Sequence, residues 1–296
     1  MRSFGCELVP YRGGLCSKHA RKQSSKVPSV TGLHSVPWTC DTYGLAHGTA
    51  SAVVKNGGKS WFIVGADTAF GHQLAADVTA VVQANGRTVL GSVWHPLNNA
   101  EFSSYLLTAQ ASKAQIIAIA SAGGDGTNAI KQAAEFRLGQ AGQQLAAVIF
   151  LVQDAHSLGL QTAQGVYLTT AFYHDADDAS RAWSKRFMDR VGAAPSMLQA
   201  GVYSGVMHYL KAVKAAATKD SANVMAQMRT MPVEDFMTHG GHIREDGRLM
   251  RDMFLAQVKS PAESQGEWDL FKIVGRIPAE AVVWPLSESK CPLVKH

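Results

Sequence analysis

Three short segments carry the side chains best suited to recognising a small molecule. Asp67-Thr68-Ala69-Phe70-Gly71 joins a carboxylate, a hydroxyl and an aromatic ring to a glycine. Ser121 to Gly126 sets open backbone at Gly123 and Gly124, after Ala122, beside the carboxylate of Asp125. Gln153-Asp154-Ala155-His156 adds a second acid and an imidazole. The chemistry of this set is holding rather than reacting. Glycine lets a guest approach the main chain, helix N-termini present N–H groups to an anion, and an aromatic ring covers an apolar side. A nucleophile would need a base at readable spacing. No nucleophile elbow, zinc-protease helix or phosphate loop is present, and the histidines, His72, His95 and His156 among them, do not cluster at ligand spacing. Each residue also has a plainer reading: Asp154 capping its own helix, Asp67 capping a turn, Phe70 lying in the core.

One enzyme-like signal competes. Gly124-Asp125-Gly126-Thr127-Asn128-Ala129 follows an apolar run and opens a helical one, the loose form of the dinucleotide fingerprint used by NAD(P)-dependent oxidoreductases. The acid that should close the next strand about 20 residues on is absent, since Asp154 is nearer thirty away. A tight strand-to-helix turn accounts for the glycines equally well. Cys6, Cys16, Cys40 and Cys291 lack the paired short spacing of a zinc or redox site, so neither metal nor cofactor is expected, and no pairing to Cys291 follows from spacing.

The elements that would position these residues begin near Asp41. Helical periodicity through Gly48 to Asn56 stops at Gly57-Gly58, and Trp61 to Val64 then reads as a buried strand closing at Asp67. Leu74 to Ala84, Phe102 to Ala111 and Ala129 to Phe136 read as helices, and Thr88 to Val93, Ile116 to Ala120, Ala146 to Val152 and Gly165 to Ala171 as strands, with a short helical stretch around Ser157 to Ala163. Strands alternating with helices predict a doubly wound parallel sheet. After Tyr173 the pattern is helical: a helix capped by Asp177 or Asp178 and running to Gly192, a long apolar one at Met197 to Ala217, and a third at Ala222 to Met231. Strand patterns return at Leu249 to Val258 and Trp268 to Val274. The expected organisation is an atypical, disordered leader over 1–39, an α/β ligand-binding lobe formed by 40–174 and 242–275, a mainly helical remnant of a second lobe at 175–241, and a tail at 276–296.

The formal net charge of +5 is confined to the leader, where Arg2, Arg12, Lys18, Arg21, Lys22 and Lys26 face only Glu7. The remainder is balanced, which excludes the electrostatic footprint of nucleic-acid binding. No apolar run is long enough to span a bilayer, and the leader lacks the apolar core of an export signal.

From Trp38 through Thr170, and again from Trp183 to Val274, the chain resembles the branched-chain amino-acid-binding (Leu/Ile/Val-binding) family of periplasmic receptors that serve ABC importers. The resemblance rests on Asp-Thr-Ala-Phe-Gly (67–71), Phe-Ser-Ser-Tyr-Leu-Leu (102–107), Ala-Ile-Lys-Gln-Ala (129–133), Ala-Gly-Val-Tyr-Ser-Gly-Val (200–206) and Ile-Arg-Glu-Asp-Gly-Arg (243–248), in that order. It implies a non-catalytic receptor of two doubly wound lobes that holds an amino acid or small, possibly aromatic, carboxylic acid in the cleft and delivers it to a membrane permease. It places Phe70 against the ligand, Ala122-Gly123 where leucine-binding members carry a second aromatic, and Asp154 at the acid that pairs with a ligand ammonium. With Asp125 and His156 these form the expected site. The chain departs from the family over Met1 to Val36, where most of the other lobe would stand, so an N-terminally shortened reading is expected, with the 178–231 helices left apolar-faced. The resemblance implies a periplasmic location, although a chain without an export signal would stay in the cytoplasm. A ligand-sensing regulatory domain on the same lobes is the remaining alternative.

Overall fold

The computed structural model describes residues 34–139, 142–288 and Val294, together with two paired two-residue strands, β1 (Cys16–Ser17) and β2 (Thr31–Gly32). The expectations for most of the 1–39 leader, and for Cys6, Cys16 and Cys291, fall outside the described side chains.

Helix α1 (Thr42–Lys55) starts where Asp41 accepts the Gly44 N–H at 2.7 Å, a full turn and more before the sequence pattern shows it. The apolar run after Gly57-Gly58 becomes β3 (Ser60–Ala66), and α2 (Ala69–Ala84), β4 (Thr88–His95), α3 (Ser103–Ala111), β5 (Ile116–Ala120), α4 (Gly123–Glu135) and β6 (Gln144–Ala147) follow in alternation. Residues 148–151 leave the ladder, so the fourth strand is shorter than the run Ala146 to Val152 predicts; Val152 instead opens α5 (Val152–Leu158), followed by α6 (Leu160–Ala163) and β7 (Tyr167–Thr170). Then come α7 (Asp178–Val191), α8 (Met197–Ala216), α9 (Ser221–Thr230), the small hairpin β8 (His242–Ile243) and β9 (Leu249–Met250), then β10 (Met253–Val258), β11 (Phe271–Ile277) and α10 (Ala279–Val282).

The main sheet has seven strands in the order β11-β10-β7-β6-β5-β3-β4. From β4 to β7 all neighbours are parallel, as expected, but β10 runs antiparallel to both β7 and β11. The fold is therefore a mixed, mainly parallel α/β sheet. The cause is the helical excursion. The chain leaves the sheet at the C-terminal end of β7, forms α7 to α9 beyond that rim, and returns to the same rim at Met253, where Phe254 pairs with Thr170. A strand entering from that side must run the other way.

Both faces of the sheet are covered, as parallel strands require. Leu45, Val53, Trp61, Leu74, Val78 and Val81 pack α1 and α2 on one face. Phe102, Leu106, Ile117, Ile130, Val152 and Leu168 pack α3 to α5 on the other. A third cluster joins Trp38 to Ala212, Val224, Met228, Ile243 and Leu249, so the β8–β9 segment, expected within the α/β lobe, packs with α8 and α9. The outward stripe of α8 stays open: Val202, Tyr203 and Leu210 are exposed, and with Trp183, Phe187, Leu198, Val206 and Met207 the first two line an apolar groove of about 560 Å3. No helix among the described residues is long and apolar enough to cross a membrane.

Candidate functional site

The parallel register brings three helix starts to one rim. Ala66 stands level with His95, Gly65 with Ala120, and Ile119 with Ala147, so β3, β4, β5 and β6 all end on the same side. Helices α2, α4 and α5 begin just beyond those ends, at Ala69, Gly123 and Val152. The chain runs from β3 outward to β4 on one side and then to β5 on the other. The crevice between the starts of α2 and α4 is thus the point where the winding reverses, the place where open α/β sheets receive ligands. Segments 67–71 and 121–126 flank it, and segment 153–156 lies in the first turns of α5 beside them.

At the first segment, Thr68 caps α2 by accepting the Gly71 N–H at 3.0 Å. Gly71 is obligatory there, because a Cβ would stand 2.1 Å from the Ala66 carbonyl oxygen. Phe70 is half-buried and packs against the α1–α2 core, leaving part of its ring at the rim. Asp67 turns away to bond His72 at 2.8 Å, and the His72 ring lies on Trp94.

The second segment enters α4 earlier than the sequence suggests. Gly123, Gly124 and Gly126 lie within the helix rather than in a turn before Ala129. Gly123 has φ +58°, in the left-handed region, and neither it nor Gly124 has any atom within 4 Å of where a Cβ would sit. Both are exposed, with Ala122 half-buried at the foot of the same turn. Asp125 does not share that opening. It is buried, and its two oxygens accept the Asn98 and Asn99 N–H groups at 3.1 and 2.8 Å, so its charge anchors the loop after β4. Beneath it, His95 Nε2 and the Ser121 hydroxyl meet at 2.6 Å, fully buried, while His95 Nδ1 faces the Pro96 carbonyl at 2.8 Å. This pair forms the floor of the rim; sealed from solvent, it fits packing and not nucleophilic work.

In the third segment, Asp154 accepts the Leu151 N–H at 2.8 Å, the capping role the sequence left open, and burial raises its pKa. Its neighbour Gln153 donates to the Ala194 carbonyl at 2.7 Å and so ties α5 to the segment entering α8. His156 is exposed, stacks on Trp268 at 4.0 Å and bonds Glu267 at 3.0 Å, which engages it with the loop between β10 and β11. Phe70, Ala122, Gly123 and Gly124 thus flank the crevice and Asp154 stands on the same rim in α5, whereas the side chains of Asp125 and His156 are committed to neighbouring loops. Gln153 stands in a segment the sequence singles out, but its tie to Ala194 is not legible there, because that contact spans 41 positions. Among the described residues no group of His, Cys, Asp and Glu stands together to hold a metal.

Comparison with known proteins identifies the fold and the family. Residues 22–266 match the periplasmic binding protein family. A periplasmic binding protein from Burkholderia mallei is similar at 48% identity and a TM-score of 0.85, over 89% of this chain and 70% of that one. A branched-chain amino-acid ABC transporter periplasmic ligand-binding protein from Burkholderia xenovorans LB400 is similar at 37% identity and a TM-score of 0.82, over 88% of this chain and 70% of that one. A solute-binding protein of an ABC transporter from Rhodopseudomonas palustris BisB5, solved with 3,4-dihydroxybenzoic acid, shares the fold at 20% identity and a TM-score of 0.71, over 81% of this chain and 66% of that one. No curated protein matches. The dinucleotide reading of residues 124–129 is set aside: the glycines sit inside a helix whose first-turn acid, Asp125, faces a loop, and the relatives are binding proteins. The chain belongs to the periplasmic binding protein family, the non-catalytic solute receptors of ABC transporters.

Proposed function

We propose that this receptor binds an amino acid or a small aromatic carboxylic acid at the crevice between α2 and α4, in the periplasm, and hands it to the membrane permease of an ABC importer. The observation that carries the reading is the open backbone at Gly123 and Gly124 opposite the half-exposed Phe70 ring, at the winding reversal of the sheet. An aromatic face and unobstructed N–H groups at a helix start suit a molecule with one apolar and one carboxylate end. The two glycines leave room on that side, so an aromatic acid is as well accommodated as leucine. Asp154 supplies the negative charge for an ammonium group. Asp125 and His156 act behind the site, holding its walls.

The ABC-transporter context of the Burkholderia xenovorans relative supports the class of partner. The balanced charge of the chain beyond the leader supports a small-molecule guest over a nucleic acid. Cys40 is disulfide-bonded, which suits an oxidising compartment such as the periplasm.

A thermal-shift panel of leucine, phenylalanine, benzoate and NAD tests the proposal. Stabilisation by at least one of the acids, abolished in Phe70→Ala, is the expected result, since a saturating ligand adds about 3 kcal/mol at a hundredfold excess over its Kd. Stabilisation by NAD alone, or an acid response that survives Phe70→Ala unchanged, would refute it.

A further inference from the structure

A second polar cavity lies on the same rim as the α2–α4 crevice but toward the β10–β11 edge of the sheet, where the chain crosses between the sheet and the helical layer. It is small, about 20 Å3, and is lined by Phe172, Ser180, Thr238, Arg251 and Phe254 together with Asp177, His239, Asp252 and Arg276. That volume admits one water-sized guest.

Arg251 makes the cavity unusual. It is 5% exposed, and among the described residues its one hydrogen bond is a long 3.5 Å contact from Nε to the Asp252 carbonyl. Among the described residues, no acceptor stands within hydrogen-bond distance of Nη1 or Nη2. The Thr238 hydroxyl, 2% exposed, also lacks a partner. Burial lowers the Arg251 pKa to about 9, which still leaves the guanidinium charged at neutral pH. A buried cation with open donors is costly unless something accepts from it.

The acids nearby are already engaged. Asp177 accepts the Ser180 N–H at 2.7 Å and faces His239 at 3.4 Å; Asp252 accepts the Ala279 N–H at 3.0 Å and faces Arg276 at 3.8 Å. Asp235, which favours the charge on Arg251, accepts from Met237, Thr238 and Ser204. A water could donate to the remaining lone pairs of Asp177 and Asp252, but it would add no negative charge against the buried guanidinium. A guest that only accepts suits the unpartnered donors that Arg251 and Thr238 bring to one cavity, and a negative one also balances the charge.

We propose that this cavity binds one halide-sized anion, chloride under ordinary conditions, held by Arg251 Nη1 and Nη2 and the Thr238 hydroxyl. The guest balances the buried guanidinium and ties the 235–251 segment to the start of β10, at a place separate from the solute crevice. Polyatomic anions such as sulfate exceed the space.

Two measurements on the full chain test this. Crystals soaked in bromide should give an anomalous peak within hydrogen-bond reach of Arg251 and Thr238. In solution, the thermal midpoint should rise as chloride replaces gluconate at constant ionic strength. Thr238→Val should need about tenfold more chloride for the same rise, in keeping with the loss of one hydrogen bond to a charged partner. Arg251→Gln should abolish the response, and if that variant fails to fold, Thr238→Val and the bromide map decide the matter. A bromide-free cavity holding only water, or a chloride response identical in the wild type and Thr238→Val, would overturn the assignment.

Discussion

Asp154 shows how one side chain serves two ends. One oxygen caps α5, and burial lifts its pKa, disfavouring the charged carboxylate. A ligand ammonium reverses that cause, and amino-acid affinity is therefore expected to rise with pH just above the ordinary aspartate range, as binding draws the proton off. Asp154→Ala should weaken an amino-acid ligand by about 2 kcal/mol and erase the pH dependence, while leaving a plain carboxylic acid such as benzoate little changed. Calorimetric titration of both ligand types across pH checks this, and equal losses for both would remove the ammonium role. Gly71 carries a different burden. The Ala66 carbonyl stands 2.1 Å from where a Cβ would be, so Gly71→Ala must displace main chain and should cost about 1–3 kcal/mol in chemical denaturation. Phe70 and Gly71 could be singled out in the sequence. That the Asp125 oxygens face Asn98 and Asn99 could not, because the contact joins loops 26 and 27 positions apart.

The helices of the second layer depend on local signals that the sequence displays openly. Asp177 accepts the Ser180 N–H at 2.7 Å, and Ser196 forms a reciprocal capping box with Gln199 at the start of α8. Gly192 closes α7 at φ +75°. Replacing either cap, Asp177→Ala or Ser196→Ala, should lower stability by about 1 kcal/mol, readable as a shift in urea midpoint without a change in slope. The outward stripe of α8 should behave in the opposite way. Leu210 is 50% exposed, so Leu210→Lys is expected to stay within about 0.5 kcal/mol of the parent. A large loss would mean that the open stripe is covered in the folded protein. The direction of β10 belongs to this scale as well. Its apolar run is legible as a strand; its antiparallel sense comes from where the helical excursion lets the chain re-enter.

At the scale of the molecule, the start of α1 is held by groups drawn from distant parts of the chain. Asp41 caps α1 and faces the buried Arg248 at 3.4 Å, and His47, one turn further on, stacks on Tyr43 beside Trp284. Burial brings the His47 pKa down from 6.5 to about 4. The folded protein then resists a proton that the unfolded chain accepts, so stability is full above about pH 6.5 and falls as the pH drops from there toward 4. His47→Gln should flatten that slope, removing on the order of 2 kcal/mol of acid sensitivity, measured as urea midpoints from pH 7 to pH 4.

By itself the sequence determined the alternation of strands and helices, the caps of α7, the kinship to solute receptors and the three segments at the strand ends, because all of these are written in local periodicity and short motifs. Only the tertiary structure decided which members of those segments are tied to neighbouring loops, that β10 reverses, and that Arg251 is shut in beside a small cavity with its outer nitrogens unmatched among the described residues. Those outcomes depend on partners tens or hundreds of positions apart. A hydrogen-bond partner at that separation is chosen by how the layers pack, and no local pattern encodes it.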